Sequence, residues 1–184
     1  VYRSSSVLSG GVWTKIAIKE TGIYKVDVPF LATLGFNTSN VPSNSVRFYG
    51  NGGGMLSETN ADIPIDDLVE NSIMIIDGGD GQFNGNDYFL FYADGPDDWI
   101  KDSANKKFSH QKNLYSRESY YYISISGNGK RIQTQNPPGP GNTIVDNFDE
   151  HYFHELDTIN FLSSGKQWYG EEFISTPGRG ASRD

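Results

Sequence analysis

The sequence predicts a mainly β protein, an antiparallel β-sandwich with one or two short helices. Three observations carry the prediction. Apolar residues come in short runs rich in β-branched and aromatic side chains, too brief for typical helices. Aromatics make up 14% of the chain, and 21 glycines and 8 prolines punctuate it, a mix that suits many strands joined by turns. The stretch 66–95, DDLVENSIMIIDGGDGQFNGNDYFLFYADG, places two such runs, Ile73–Ile76 and Tyr88–Tyr92, around a loop of Gly, Asp and Asn. Neither run alternates cleanly, which predicts strands covered on both faces, central rather than edge. The loop, Asp77–Asp87, holds four glycines, three aspartates and two asparagines. Such residues supply positive φ and side-chain-to-backbone bonds, so an ordered turn within a core hairpin is expected.

Taken in order, residues 1–11 are Ser/Gly-rich and read as a loose lead-in. Trp13–Ile18 and Gly22–Val28 read as strands, and the Glu20-Thr21-Gly22 turn between them predicts a hairpin. Pro29 suits the first position of a helix and Gly35 its exit, with Phe30, Leu31 and Leu34 at helical spacing. A two-turn helix capping the sandwich follows. Val46–Tyr49 is a strand, closed by Gly50-Asn51-Gly52-Gly53-Gly54. That run lacks the Lys-Ser/Thr of a phosphate-cradling loop, so a flexible turn is expected. Asp66 and Asp67 with Glu70 predict one helical turn.

Beyond Gly95-Pro96, Trp99 and Ile100 read as isolated plugs at a sandwich end, and Asp102–Lys112 as a long exposed loop. Tyr120–Ser126 alternates as a strand, and Gly127-Asn128-Gly129 predicts a hairpin into Lys130–Gln135. Asn136-Pro137-Pro138-Gly139-Pro140-Gly141 is the strongest break in the chain, read as an internal loop. Thr143–Phe148 and His151–Asn160 carry strand-like patterns. The expected organisation is a sandwich domain over 12–174 and a flexible Gly/Ser/Arg tail over 175–184.

Composition excludes several functions. The chain has no cysteine, which removes disulfides, thiolate metal sites and a cysteine nucleophile from these residues. The net charge is −8 with a pI near 4.8, against nucleic-acid binding. Residues 58–102 hold twelve Asp/Glu and one Lys, whereas residues 101–131 hold seven Lys/Arg against Asp102 and Glu118. Solvated loops of opposite sign account for both. No apolar run approaches the length of a membrane span. No basic-then-apolar leader opens these residues, which leaves the compartment open.

Few residues suggest chemistry. His151-Tyr-Phe-His154-Glu155 imitates a zinc motif, but the spacing is three rather than four, and on a strand the two histidines face opposite ways. Asp77, Asp80 and Asp87 are candidate calcium ligands, since calcium takes carboxylate, amide and backbone oxygens from Gly-containing loops. The front half of an EF-hand does not match, because Ile76 and Gly78 stand where ligands belong, so plain Asp/Asn turn chemistry fits better. No Gly-x-Ser-x-Gly elbow occurs. Trp13, Trp99 and Trp168 are candidates for a sugar-stacking face, with core or rim packing the simpler role.

Six strings stand out: WTKIAIKETGIYKV (13–26), VRFYGNGGGMLSE (46–58), DDLVENSIMIIDGGDGQFNGNDYFLFYADGP (66–96), FSHQKNLYS (108–116), YYYISIS (120–126) and SGKQWYGEEF (164–173). In this order they resemble the N-terminal region of the type IX secretion system sortases of Bacteroidetes, gingipain-related cysteine peptidases of clan CD. The resemblance covers residues 12–173. It implies a surface protein, at the extracellular face of the outer membrane, that removes C-terminal secretion signals and joins cargo to anionic lipopolysaccharide. The catalytic His and Cys would sit in a downstream caspase-like domain. No residue here matches that dyad, so no catalytic residue and no cofactor is implied for this chain. The implied partners are the downstream catalytic domain and an outer-membrane β-barrel protein. The pattern after Phe173 does not continue as strands, so the chain is expected to lack its domain's end or to carry foreign residues. A carbohydrate-binding sandwich and an inhibitory gingipain-type prodomain are the alternative expectations.

Overall fold

The structure, a computed structural model, describes residues 3–137, 139–141, 143–147, 152–163, 165 and 167–170. The chain divides into two compact units, Val1–Asn136 and Pro137–Asp184, with the division inside the Pro/Gly stretch. The first unit is mainly β and antiparallel. Its strands are β1 (Trp13–Ile18), β2 (Gly22–Asp27), β3 (Val46–Tyr49), β4 (Glu70–Asn71), β5 (Met74–Ile76), β6 (Tyr88–Ala93), β7 (Asp98–Asp102), β8 (Lys107–Gln111) and β9 (Ser119–Ile125). They form a four-stranded sheet ordered β1-β9-β3-β4, a three-stranded sheet ordered β2-β6-β5, and a two-stranded ribbon β7-β8.

The alternation of each strand builds the core. Ile18, Val46, Phe48, Tyr121 and Ile123 point inward from the four-stranded sheet, and Val26, Phe89, Phe91 and Ala93 from the three-stranded one. The layers meet where Phe48 lies 4.1 Å from Phe91, centroid to centroid, with Tyr121 stacked on Phe48 at 5.2 Å. Burying such rings stabilises the unit by roughly 1.5–3 kcal/mol each. The Tyr121 hydroxyl crosses the interior, accepting from Asp94 N at 2.7 Å and donating to Asp94 O at 3.1 Å. One side chain of β9 thereby fixes the end of β6 in the opposite sheet.

The helix, α1 (Val28–Thr33), is shorter than two full turns. The Asp27 carboxylate accepts from Phe30 N and caps it, Pro29 sits in its first turn, and Gly35 follows with φ +89°. Its Leu31 is fully buried in the core. In the lead-in, Val7–Ser9 forms a 3-10 turn tied to Asp67, which accepts from Ser6 Oγ and Val7 N.

Several expectations are corrected. β1 and β2 are not a hairpin: β1 pairs with β9 and β2 with β6, and the turn between them switches sheets. The inward residues of β1 and β2 fill opposite layers, so a shared ladder would leave one layer short of a strand. Thr21 Oγ1 accepts from Gly95 N, and the Tyr24 hydroxyl donates to Glu20 O, fixing this corner. Lys130–Gln135 does not pair with β9. Its Arg131 instead bridges in parallel to Ile73. Residues 66–70 make no helical turn, because Asp67 turns back to the lead-in and Glu70 joins β4. Trp99 and Ile100 lie on β7, and the expected loop 102–112 contains β8. Asp102 makes that ribbon by accepting from both Asn105 N and Asn105 Nδ2 at its turn.

The core pair β5–β6 forms as expected, but only β6 is central, and β5 is the sheet's edge. The glycine run is packed rather than slack. A Cβ on Gly50 would overlap the Tyr121 ring, and one on Gly53 the carbonyl of Gly95.

In the second unit, the described residues of 143–148 and 151–160 form no strand. Their one ladder contact is an antiparallel bridge between Ile159 and Tyr169, with Tyr169 N donating to Ile159 O at 2.8 Å. An alternating pattern permits a strand but needs a neighbour to pair with. Phe148, His151, Phe173 and the tail 175–184 lie outside the described residues.

Candidate functional site

The three candidate calcium ligands occupy one loop but turn to different backbone groups. Asp77 Oδ1 accepts from Gly79 N at 3.0 Å, Asp80 Oδ1 from Gln82 N at 2.8 Å, and Asp87 Oδ2 from Asn84 N at 2.8 Å. The first two are Asx turns and the third a bond back across the Asn84–Asp87 turn, the local chemistry these residues favour. The loop is pinned to the body by Phe83, fully buried, whose N donates to Val41 O, and by Ser43 N donating to Gly81 O. A cation would compete with the Asx bonds. Among the described residues no group of three His, Cys, Asp or Glu is gathered as a metal site.

Of the paired histidines, His151 lies outside the described residues and His154 is exposed. The three tryptophans sit on separate elements. Trp13 on β1 meets Tyr49 edge-on at 5.0 Å, Trp99 on β7 meets His110 edge-on at 5.0 Å, and Trp168 belongs to the second unit.

The outer faces of the two large sheets differ in chemistry. On the four-stranded sheet, Arg47 of β3 forks onto Glu70 of β4, with Nε to Oε1 at 3.2 Å and the terminal nitrogen to Oε2 at 2.7 Å. Lys130 N and the Tyr49 hydroxyl also donate to Glu70. Burial pushes Glu70 up, but the Arg47 bonds, Lys130 N and the Arg47 charge outweigh it and hold the carboxyl below its ordinary range. Lys15 stands over the Tyr120 ring at 4.2 Å. Asp67, near the start of this sheet's edge, behaves similarly: burial raises it, yet bonds from Val7 N, Leu68 N and Ser6 and the Arg3 charge leave it lowered.

On the three-stranded sheet, register puts Ile23 beside Tyr92, Leu90 between Lys25 and Met74, and Tyr88 between Asp27 and Ile76, all on the outer face. Ile23 is 75% exposed, Tyr92 57% and Met74 50%. The poor alternation of Ile73–Ile76 and Tyr88–Tyr92 reflects this apolar outer surface, but the expectation of strands covered on both faces is corrected: the outer residues of β5 and β6 are exposed or half-buried.

The fold is that of a mainly β, antiparallel module with two larger sheets and a two-stranded ribbon. No protein-family model matches the chain, and no curated protein matches it. Among solved structures, the chain is similar to PorU from Porphyromonas gingivalis, seen in a crystal structure of its dimeric latent form. The TM-score is 0.55 and the identity 28%, over 77% of this chain and 12% of the PorU chain. The fold is thus PorU-like, and this chain spans about an eighth of PorU's length. Among the described residues no helix is long and apolar enough to cross a membrane.

Proposed function

We propose that this chain is a β-rich N-terminal module of a longer type IX secretion sortase, with the peptidase chemistry in a caspase-like domain further along the same polypeptide. The observation that supports this most is the likeness to PorU, which takes in 77% of this chain and only 12% of that one. The six strings that resemble the sortase family add to it. On this reading the module performs no bond cleavage. A cysteine nucleophile cannot come from a chain with no cysteine. Its role is docking, chaperoning or shielding of the catalytic domain, at the extracellular face of the outer membrane beside a β-barrel partner. The sugar-binding alternative needs a shared aromatic platform, and the scattered tryptophans do not favour it.

The test compares residues 1–184 with the full-length gene product on a substrate bearing a type IX C-terminal signal. Signal removal by the full-length protein and none by residues 1–184 is expected. Cleavage by residues 1–184 alone, or a gene without a His and Cys peptidase region, would overturn the reading.

A further inference from the structure

We infer that the outer face of the β2-β6-β5 sheet is where this module packs against the next domain of its own polypeptide. The inference rests on the module reading above. An antiparallel sheet with one wet face normally alternates apolar and polar residues, whereas a sheet covered twice is apolar on both sides. This sheet is of the second kind. Its inner face carries Val26, Phe89 and Phe91, and its outer face Ile23, Met74, Ile76, Tyr88, Leu90 and Tyr92. Within the strands the two charges, Lys25 and Asp27, are of opposite sign, Lys25 Nζ lies 4.5 Å over the Tyr88 ring, and at the rim the Asp94 carboxylate bonds Tyr92. The face therefore has no positive excess to attract an anionic glycan or membrane, and its complement is an apolar surface.

Size decides the occupant. Three strands of up to six residues span a flat footprint of about 250 Å² at ordinary strand rise and spacing, and the relief of their side chains makes the accessible area larger but still modest. A stable complex between free chains needs about 800 Å² per partner. A second copy or a diffusing protein is thus poorly held on this face alone. A domain joined through the backbone acts at millimolar effective concentration and can be held by a small patch. Supply of such a domain fits the comparison, since 88% of the PorU chain lies outside the region this chain covers.

The test uses the full-length gene product carrying Tyr92→p-benzoylphenylalanine, with Ile23→p-benzoylphenylalanine as a second position and Tyr120→p-benzoylphenylalanine on the other sheet as control. After irradiation, cross-linked peptides are mapped by mass spectrometry. Cross-links from positions 92 and 23 to residues of the same polypeptide outside 1–184 are expected, at least five-fold above position 120. Cross-links to a second copy, products equal at all three positions, or no protein product at 92 and 23 would overturn the inference while leaving the module reading intact. A gene that ends near residue 184 would instead remove the module reading itself.

Discussion

On the outer face of the four-stranded sheet, Arg47 is clamped by Glu70 and Lys15 lies over Tyr120. On the outer face of the three-stranded sheet, Ile23, Met74 and Tyr92 stand in solvent with few charges among them. Both sheets contribute equally apolar inner faces to one core. The difference teaches that a core alone does not complete a sheet. One face is finished by its own ion pair and rings, and the other leaves apolar side chains in solvent.

Perturbing the interior should break the contrast by breaking both sheets together. Phe48→Ala removes the ring that contacts both Phe91 and Tyr121 and is expected to cost about 3–5 kcal/mol in urea unfolding of residues 1–184. Tyr121→Phe strips the hydroxyl from both backbone groups of Asp94. A loss of about 1–2 kcal/mol is expected in the same assay, with the amide of Asp94 gaining hydrogen exchange.

A smaller effect isolates the finished face. Glu70→Gln weakens the fork to Arg47 and should cost about 1 kcal/mol at pH 7, discounted for the partial exposure of Arg47. Since the folded carboxyl lies below its ordinary range, its contribution is present above the unfolded value of about 4.3 and is lost as pH falls through the folded value. Thermal scans from neutral pH downward should show wild type and Glu70→Gln converging in acid. A constant gap across that range would contradict the assignment.

The smallest effect is expected on the bare face. Ile23→Ser and Met74→Ser should change the stability of residues 1–184 by no more than about 0.5 kcal/mol, read by thermal unfolding. A loss of 2 kcal/mol at either position would show that this unit already covers the face.

Most strands were legible as segments, and few as partners. Tyr121 and Ile123 alternate with Tyr120 and Tyr122, which names β9 and its inward face from sequence alone. The same logic names β1 and β2 but says nothing about which sheet each joins. The turn at Glu20-Thr21-Gly22 suits a hairpin locally, and only Gly95, distant in sequence, fixes it as a corner. The ribbon β7–β8 was hidden because its residues, Lys101, Asp102, Lys107 and Gln111 among them, carry no apolar period; pairing and the Asp102–Asn105 turn make it. The aspartate loop was legible as turn chemistry, since each of these bonds spans only two or three residues. The bare outer face was half legible: poor alternation marked apolar residues on both sides of these strands, but it could not tell an apolar face that is covered from one left in solvent.

The pairing of β1 with β9 sets a timetable for biogenesis. Trp13 must wait for Ser124 before its ladder can close, so the first of these nine strands to be made is among the last to be satisfied. Such distant pairing slows folding and leaves a sticky six-residue edge exposed meanwhile. A chain of this topology would gain from a chaperone that holds its leading segment until the tyrosine-rich ninth strand arrives.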